Sequence, residues 1–176
     1  MKKAVFLDRD GTLNKSFFKN GSPVPPKEIK DFEILSDAKK SILTLKKLNF
    51  LCILVTNQPD VARGKIEKKT VLEMNYLLMN EVNLDDIFIC YHDDNDDCDC
   101  RKPKPGLLKE AKKKWDINMS CSYMIGDRWR DIQVGINAGC KTIFIDNKWP
   151  EINNVIADFS AHSLTEAVNF IKKDKL

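Results

Sequence analysis

The chain has no apolar run long enough to cross a bilayer as a helix. Its longest, residues 50–55, has six residues, where a span needs about 20. The amino terminus offers Lys2 and Lys3 and then only four apolar residues before Asp8, too few for the apolar part of a secretory signal. These absences lead to the expectation of a cytoplasmic protein without a membrane partner. Net charge is scarce too: 29 Lys plus Arg against 26 Asp plus Glu leave +3, which gives no argument for a nucleic-acid partner. Nor is there an internal repeat or a recognisable linker, so residues 1–176 read as one domain, expected to be a monomer. Six cysteines in a chain without a secretory signal read as reduced thiols or metal ligands rather than disulfides.

What is present is an alternation of apolar runs and amphipathic stretches. Residues 4–7 (Ala-Val-Phe-Leu) predict a buried strand, and Gly11 permits a sharp turn after it. Residues 15–26 hold Gly21, Pro23, Pro25 and Pro26, which predicts an irregular loop. Ser36 or Asp37 can cap a helix reaching to about residue 49, with Ile42, Leu45 and Leu48 inward. Residues 50–55 are too continuously apolar to have a wet face and predict a central parallel strand. Helices are expected over 67–80, 106–114, 131–138 and 164–172, and further strands over 87–90, 122–125 and 142–145. The pattern specifies an α/β fold: a doubly wound, Rossmann-like parallel sheet of about five strands with helices on both faces and no large cap domain.

Polar side chains then collect at strand ends. Asp8 and Asp10 follow the first strand and, two residues apart, can face the same side. Two carboxylates so close repel one another, and a divalent cation or a shared proton relieves the repulsion. Thr56 and Asn57 end the second strand, Arg101 and Lys102 lie beyond the third, and Asp127 follows the fourth. Open α/β sheets bind ligands in a crevice at that edge.

The set Asp8-Arg9-Asp10-Gly11-Thr12, Thr56, Lys102 and Gly126-Asp127 with Asp131 resembles, in order and spacing, the four motifs of the haloacid dehalogenase superfamily. The strings Thr56-Asn57-Gln58, Ala62-Arg63-Gly64, residues 98–106 (Cys-Asp-Cys-Arg-Lys-Pro-Lys-Pro-Gly) and residues 122–127 are similar to the branch that holds heptose-bisphosphate and histidinol-phosphate phosphatases. The resemblance implies a Mg2+-dependent phosphomonoesterase acting on a small phosphorylated metabolite, with removal of the 7-phosphate from a heptose 1,7-bisphosphate in surface-glycan precursor synthesis as the leading reading. Asp8 would be the nucleophile that forms an aspartyl phosphate. Asp10 would pass a proton to the leaving oxygen and take one back from water. Asp8, the Asp10 carbonyl and Asp127 would hold Mg2+, with Asp131 behind them. Thr56 and Lys102 would stabilise the phosphoryl group, while Arg101, Asn57, Gln58 and Arg128 would line the substrate pocket.

Cys90, His92, Cys98 and Cys100 supply three thiolates and an imidazole, the ligand types of a closed structural zinc site. Their spacing matches the zinc loop of the same branch, so residues 90–100 are expected to bind Zn2+ and to aim Arg101 and Lys102. The acidic residues 93, 94, 96, 97 and 99 lack the EF-hand glycine and closing glutamate and read as a solvated loop tip. Three features depart from the heptose enzyme: five residues between His92 and Cys98, as in the histidinol-phosphatase domain; a longer, proline-rich first loop; and Pro59-Asp60-Val61 in place of Ser-Gly-Ile. Histidinol phosphate or another sugar phosphate therefore stays open as substrate. A zinc-stabilised binding module and a phosphorylated signalling domain stand as alternatives of another class.

Overall fold

The computed structural model describes residues 1–150 and 155–174. Six strands form one parallel sheet: β1 (Lys3–Leu7), β4 (Phe50–Asn57), β5 (Asp86–Cys90), β6 (Tyr123–Gly126), β7 (Lys141–Ile145) and β8 (Phe159–Ala161), in spatial order β5-β4-β1-β6-β7-β8. The chain adds strands to one side of β1 as far as β5, then returns to build on the other side from β6. The strand order reverses between β1 and β6, which opens a crevice at their carboxyl ends.

Alternation along the strands assigns each side chain to a face. Val5 and Leu7 of β1, with Leu54, Tyr123, Ile125 and Ile143, pack against α1 (Ala38–Lys47), α2 (Lys68–Val82) and α5 (Leu164–Asp174). Ala4 and Phe6, with Ile53, Val55 and Met124, pack against α3 (Gly106–Trp115) and α4 (Trp129–Ala138). Burial on both faces is why β1 and β4 read as unbroken apolar runs.

Two elements go beyond the sequence-based expectation. The segment expected to be an irregular loop contains a hairpin, β2 (Phe17–Lys19) and β3 (Ser22–Val24). Asn20 (φ 52°) and Gly21 (φ 76°) form its two-residue turn, and Asn-Gly is the pair that such a left-handed turn favours. The sheet also has a sixth strand, β8, three residues long at the edge beside β7. Asp37 precedes α1 without capping it; its carboxylate instead accepts from the Thr165 amide (2.9 Å) and hydroxyl (3.0 Å), tying α1 to α5.

Candidate active site

Asp8 is the first residue past β1, and its amide donates to the Ile125 carbonyl of β6 (3.0 Å). That bond brings Asp8 level with Asp127, the first residue past β6, across the reversal of strand order. Asp131, in the first turn of α4, completes a group whose carboxylate oxygens lie within 4.8 Å of one another. Lys102 enters from the side: its Nζ donates to Asp8 Oδ1 (2.6 Å), Asp131 Oδ1 (2.6 Å) and the Val55 carbonyl (2.8 Å). All four side chains are buried. Asp131 also accepts from the Arg128 amide (3.0 Å), so it caps α4 as well.

Three buried carboxylates thus face one ammonium. Burial pushes the Asp8 carboxyl up to about 7, with Lys102 opposing the rise and Asp131 and Asp10 adding to it. Asp127 is raised well above the carboxylate range, by burial first and then by Asp8 and Asp131. Burial on its own would lower Lys102, yet Asp131 and Asp8 hold it above the lysine range. Asp127 Oδ2 accepts from Trp149 Nε1 (3.0 Å) and Asn147 Nδ2 (3.2 Å), while its Oδ1 is buried with no hydrogen-bond partner. An orphaned oxygen beside uncompensated negative charge is what a hard divalent cation satisfies. The donor set fits Mg2+.

Asp10 is fixed by a residue that alternation hides. Arg9 should point away from its two acidic neighbours and does, but into the protein, where it is fully buried. Its Nε and Nη2 donate to the Asp10 carboxylate (3.1–3.2 Å), its Nη1 to Asn75 Oδ1 of α2 (3.0 Å), and its Nη2 also to Gln58 Oε1 (3.1 Å). Asn14 adds a further donor to Asp10 (3.1 Å). Gln58 Nε2 donates to both Asp10 Oδ2 and Thr56 Oγ1 (2.9 Å each). Since the Thr56 oxygen accepts from Gln58, its own proton is left free to donate elsewhere, although Thr56 itself is buried and does not line the cleft.

The crevice opens into a cleft of about 340 Å3 that Asp8, Asp10, Asp127 and Lys102 share with Asn57, Gln58, Arg101 and Arg128. Asn57 spends both ends of its amide on the Lys102 backbone, donating to its carbonyl and accepting from its N–H (3.0 Å each). Arg101 Nε donates to Asp94 (2.9 Å) and its Nη1 to the His92 carbonyl (3.2 Å). Lys27, Arg63, Lys65 and Arg130 add positive charge to the walls, and Pro23, Val24 and Pro25 form the side given by the β2–β3 hairpin.

Cys90 ends β5 and starts the loop that returns to Lys102. Cys90, His92, Cys98 and Cys100 point inward on one spot, with Sγ–Sγ separations of 3.1–3.7 Å and His92 Nδ1 lying 3.2 Å from Cys100 and 3.6 Å from Cys90. A tetrahedron with Zn–S about 2.3 Å and Zn–N about 2.0 Å has edges of roughly 3.5–3.8 Å. The cluster is compatible with zinc. The acidic tip is not merely solvated: Arg63 pairs with Asp93 (Nε–Oδ2 2.8 Å) and holds its carboxyl down at about 2, and Asp94 holds Arg101.

Fold and strand-end groups together define a haloacid-dehalogenase-like hydrolase. A family model described as HAD-hydrolase-like matches residues 99–148. The D-glycero-beta-D-manno-heptose-1,7-bisphosphate 7-phosphatase of Escherichia coli K12 is 37% identical over 188 residues, covering 98% of this chain and 95% of that protein. The Haemophilus influenzae protein of the same name is 33% identical, covering 99% of this chain and all of its own length. Among solved structures, a D,D-heptose 1,7-bisphosphate phosphatase from B. bronchiseptica, complexed with magnesium and phosphate, superposes with a TM-score of 0.84 at 24% identity, covering 98% of this chain and 99% of that one. The chain belongs to this family of phosphatases, and is a phosphoric monoester hydrolase. No helix among the described residues is long and apolar enough to cross a membrane.

Proposed function

We propose that the chain hydrolyses the 7-phosphate of D-glycero-D-manno-heptose 1,7-bisphosphate through an aspartyl phosphate on Asp8, with Mg2+ as cofactor. The observation that carries this reading is the convergence of Asp8, Asp127, Asp131 and Lys102 on one buried point, in a chain that matches named heptose-bisphosphate phosphatases along nearly its whole length.

In the first step an Asp8 oxygen attacks phosphorus and the bond from phosphorus to the sugar oxygen breaks. Asp10 gives its proton to that oxygen. In the second, water attacks the phosphoryl group, Asp10 takes a water proton, and the bond to Asp8 breaks to release inorganic phosphate. Lys102 sets its charge against the equatorial oxygens, and the free Thr56 proton donates to one of them. Asp8, the Asp10 carbonyl and Asp127 would hold Mg2+, which supplies charge neutralisation at the transferring group. Arg9 and Gln58 keep Asp10 in place, and Asn57 holds the backbone that carries Lys102. Arg101, Arg128 and the basic walls suit a second phosphate.

Residues 1–176 act in this reading as one catalytic unit. The loop 90–100 is held by a structural Zn2+ on Cys90, His92, Cys98 and Cys100. The setting is cytoplasmic, the protein a monomer, and the partner a small sugar bisphosphate rather than nucleic acid or membrane. The test is phosphate release from both anomers of heptose 1,7-bisphosphate, histidinol phosphate and common sugar phosphates with Mg2+ present. Heptose bisphosphate should give the highest kcat/KM, and Asp8→Asn should abolish release. A preference for histidinol phosphate would overturn the substrate, and Mg2+-dependent release by Asp8→Asn would overturn the nucleophile.

A further inference from the structure

Trp149 and Asn147 stand outside every motif that marks the site, in the segment that follows β7. Both side chains nonetheless reach Asp127 Oδ2, and Asn147 Nδ2 also donates to the Gly11 carbonyl (2.8 Å). With Oδ2 taken by two donors, the carboxylate plane is set and Oδ1 is left buried and unpartnered. On its other side the Trp149 indole lies flat on the Phe18 ring of the hairpin, with centroids 5.3 Å apart and planes 3° from parallel. Phe18 is half exposed. An indole that is both stacked on one element and hydrogen-bonded to another couples the two, and groups that orient a metal ligand shape the metal's affinity.

We infer that Trp149 is a positioning residue for the cation, aiming Asp127 Oδ1 at it through the indole N–H, and that its stack on Phe18 clamps the β2–β3 hairpin to the metal site as one wall of the cleft. Metal occupancy and hairpin position are then linked through a single side chain. The inference rests on the magnesium reading of Asp8 and Asp127 given above.

Trp149→Phe keeps a smaller aromatic ring to lie on Phe18 and removes the N–H. Phe18→Ala keeps the N–H and removes its support, and Phe18→Trp restores a flat ring. The readout is Mg2+ binding to the Mg2+-free 176-residue chain prepared with Zn2+ present, by isothermal titration calorimetry without substrate. Trp149→Phe should weaken Mg2+ about tenfold with the Mg2+-free melting temperature unchanged. Phe18→Ala should weaken it by a smaller factor, about threefold, and Phe18→Trp should restore it. In a Trp115→Phe, Trp129→Phe background, Mg2+ should change the emission of the remaining Trp149. Wild-type affinity in Trp149→Phe, or emission indifferent to Mg2+, would overturn the positioning role. Full affinity in Phe18→Ala would overturn the clamp. Absence of Mg2+ binding in the wild type would overturn the magnesium reading and the inference together, whereas failure to cleave heptose bisphosphate would leave the binding result standing.

Discussion

Arg9 sits at the centre of the polar interior: one guanidinium, fully buried, serves Asp10, Gln58 and Asn75 at once. Removing Arg9 leaves the part-buried Asp10 carboxylate and the buried Asn75 and Gln58 oxygens each short of a donor, at a cost of about 1–3 kcal/mol. Arg9→Gln should lower the unfolding free energy by about that amount in urea titrations, with turnover falling further because Asp10 loses its anchor. Gly11 makes an equally sharp case. Its φ is +84°, and a Cβ built there would stand 2.1 Å from Asp127 Oδ2. Gly11→Ala must push Asp127 aside, and a misplacement near 1 Å costs on the order of 100-fold in kcat/KM; steady-state phosphate release measures it. At this scale the sequence was legible in placement: Asp8, Asp10, Thr56 and Asp127 do lie at neighbouring strand ends with Lys102 beside them. Arg9 was hidden because the alternation that pairs the two aspartates says only that the residue between them points elsewhere. Asn147 and Trp149 were hidden because no local periodicity announces a contact made 20 residues away by a loop.

Among elements, the loop from Cys90 to Arg101 buries few residues of its own and is tied down by Arg63 and Arg101; in the proposed reading Zn2+ on Cys90, His92, Cys98 and Cys100 supplies the rest of its order. Stripping zinc with a strong chelator, then restoring Mg2+, should lower the melting temperature and most of the turnover. Replacing Zn2+ should recover both, with metal content followed by elemental analysis. Unchanged turnover after full zinc loss would disconnect the loop from Lys102. The helices and inner strands were legible because their apolar periodicities are long. The hairpin was not, since Pro23 and Pro25 outweighed the Asn20-Gly21 signal; Pro23 is tolerated because a two-stranded ribbon has a free edge that does not need its N–H. β8 escaped because Phe-Ser-Ala is too short to show alternation.

For the whole molecule, the raised carboxyls make stability depend on pH and metal together. Asp8 titrates near 3.8 when unfolded and near 7 when folded, so between those values the folded chain holds the extra proton. Unfolding free energy of the Mg2+-free protein therefore falls as pH rises from about 4 to 7, and Asp127 acts in the same direction. Asp8→Asn should make that slope shallower, leaving the part that Asp127 supplies. Calorimetric scans across pH check it, and a wild-type slope in the variant would reassign the proton. Mg2+ competes for the same site and should raise the wild-type midpoint most at high pH. The strand order carries one more consequence, for synthesis. β1 lies between β4 and β6, so Asp8 is made before Asp127 and Asp131 and meets them only after more than a hundred further residues have been added. A nascent chain therefore cannot assemble a reactive centre until most of its sheet exists.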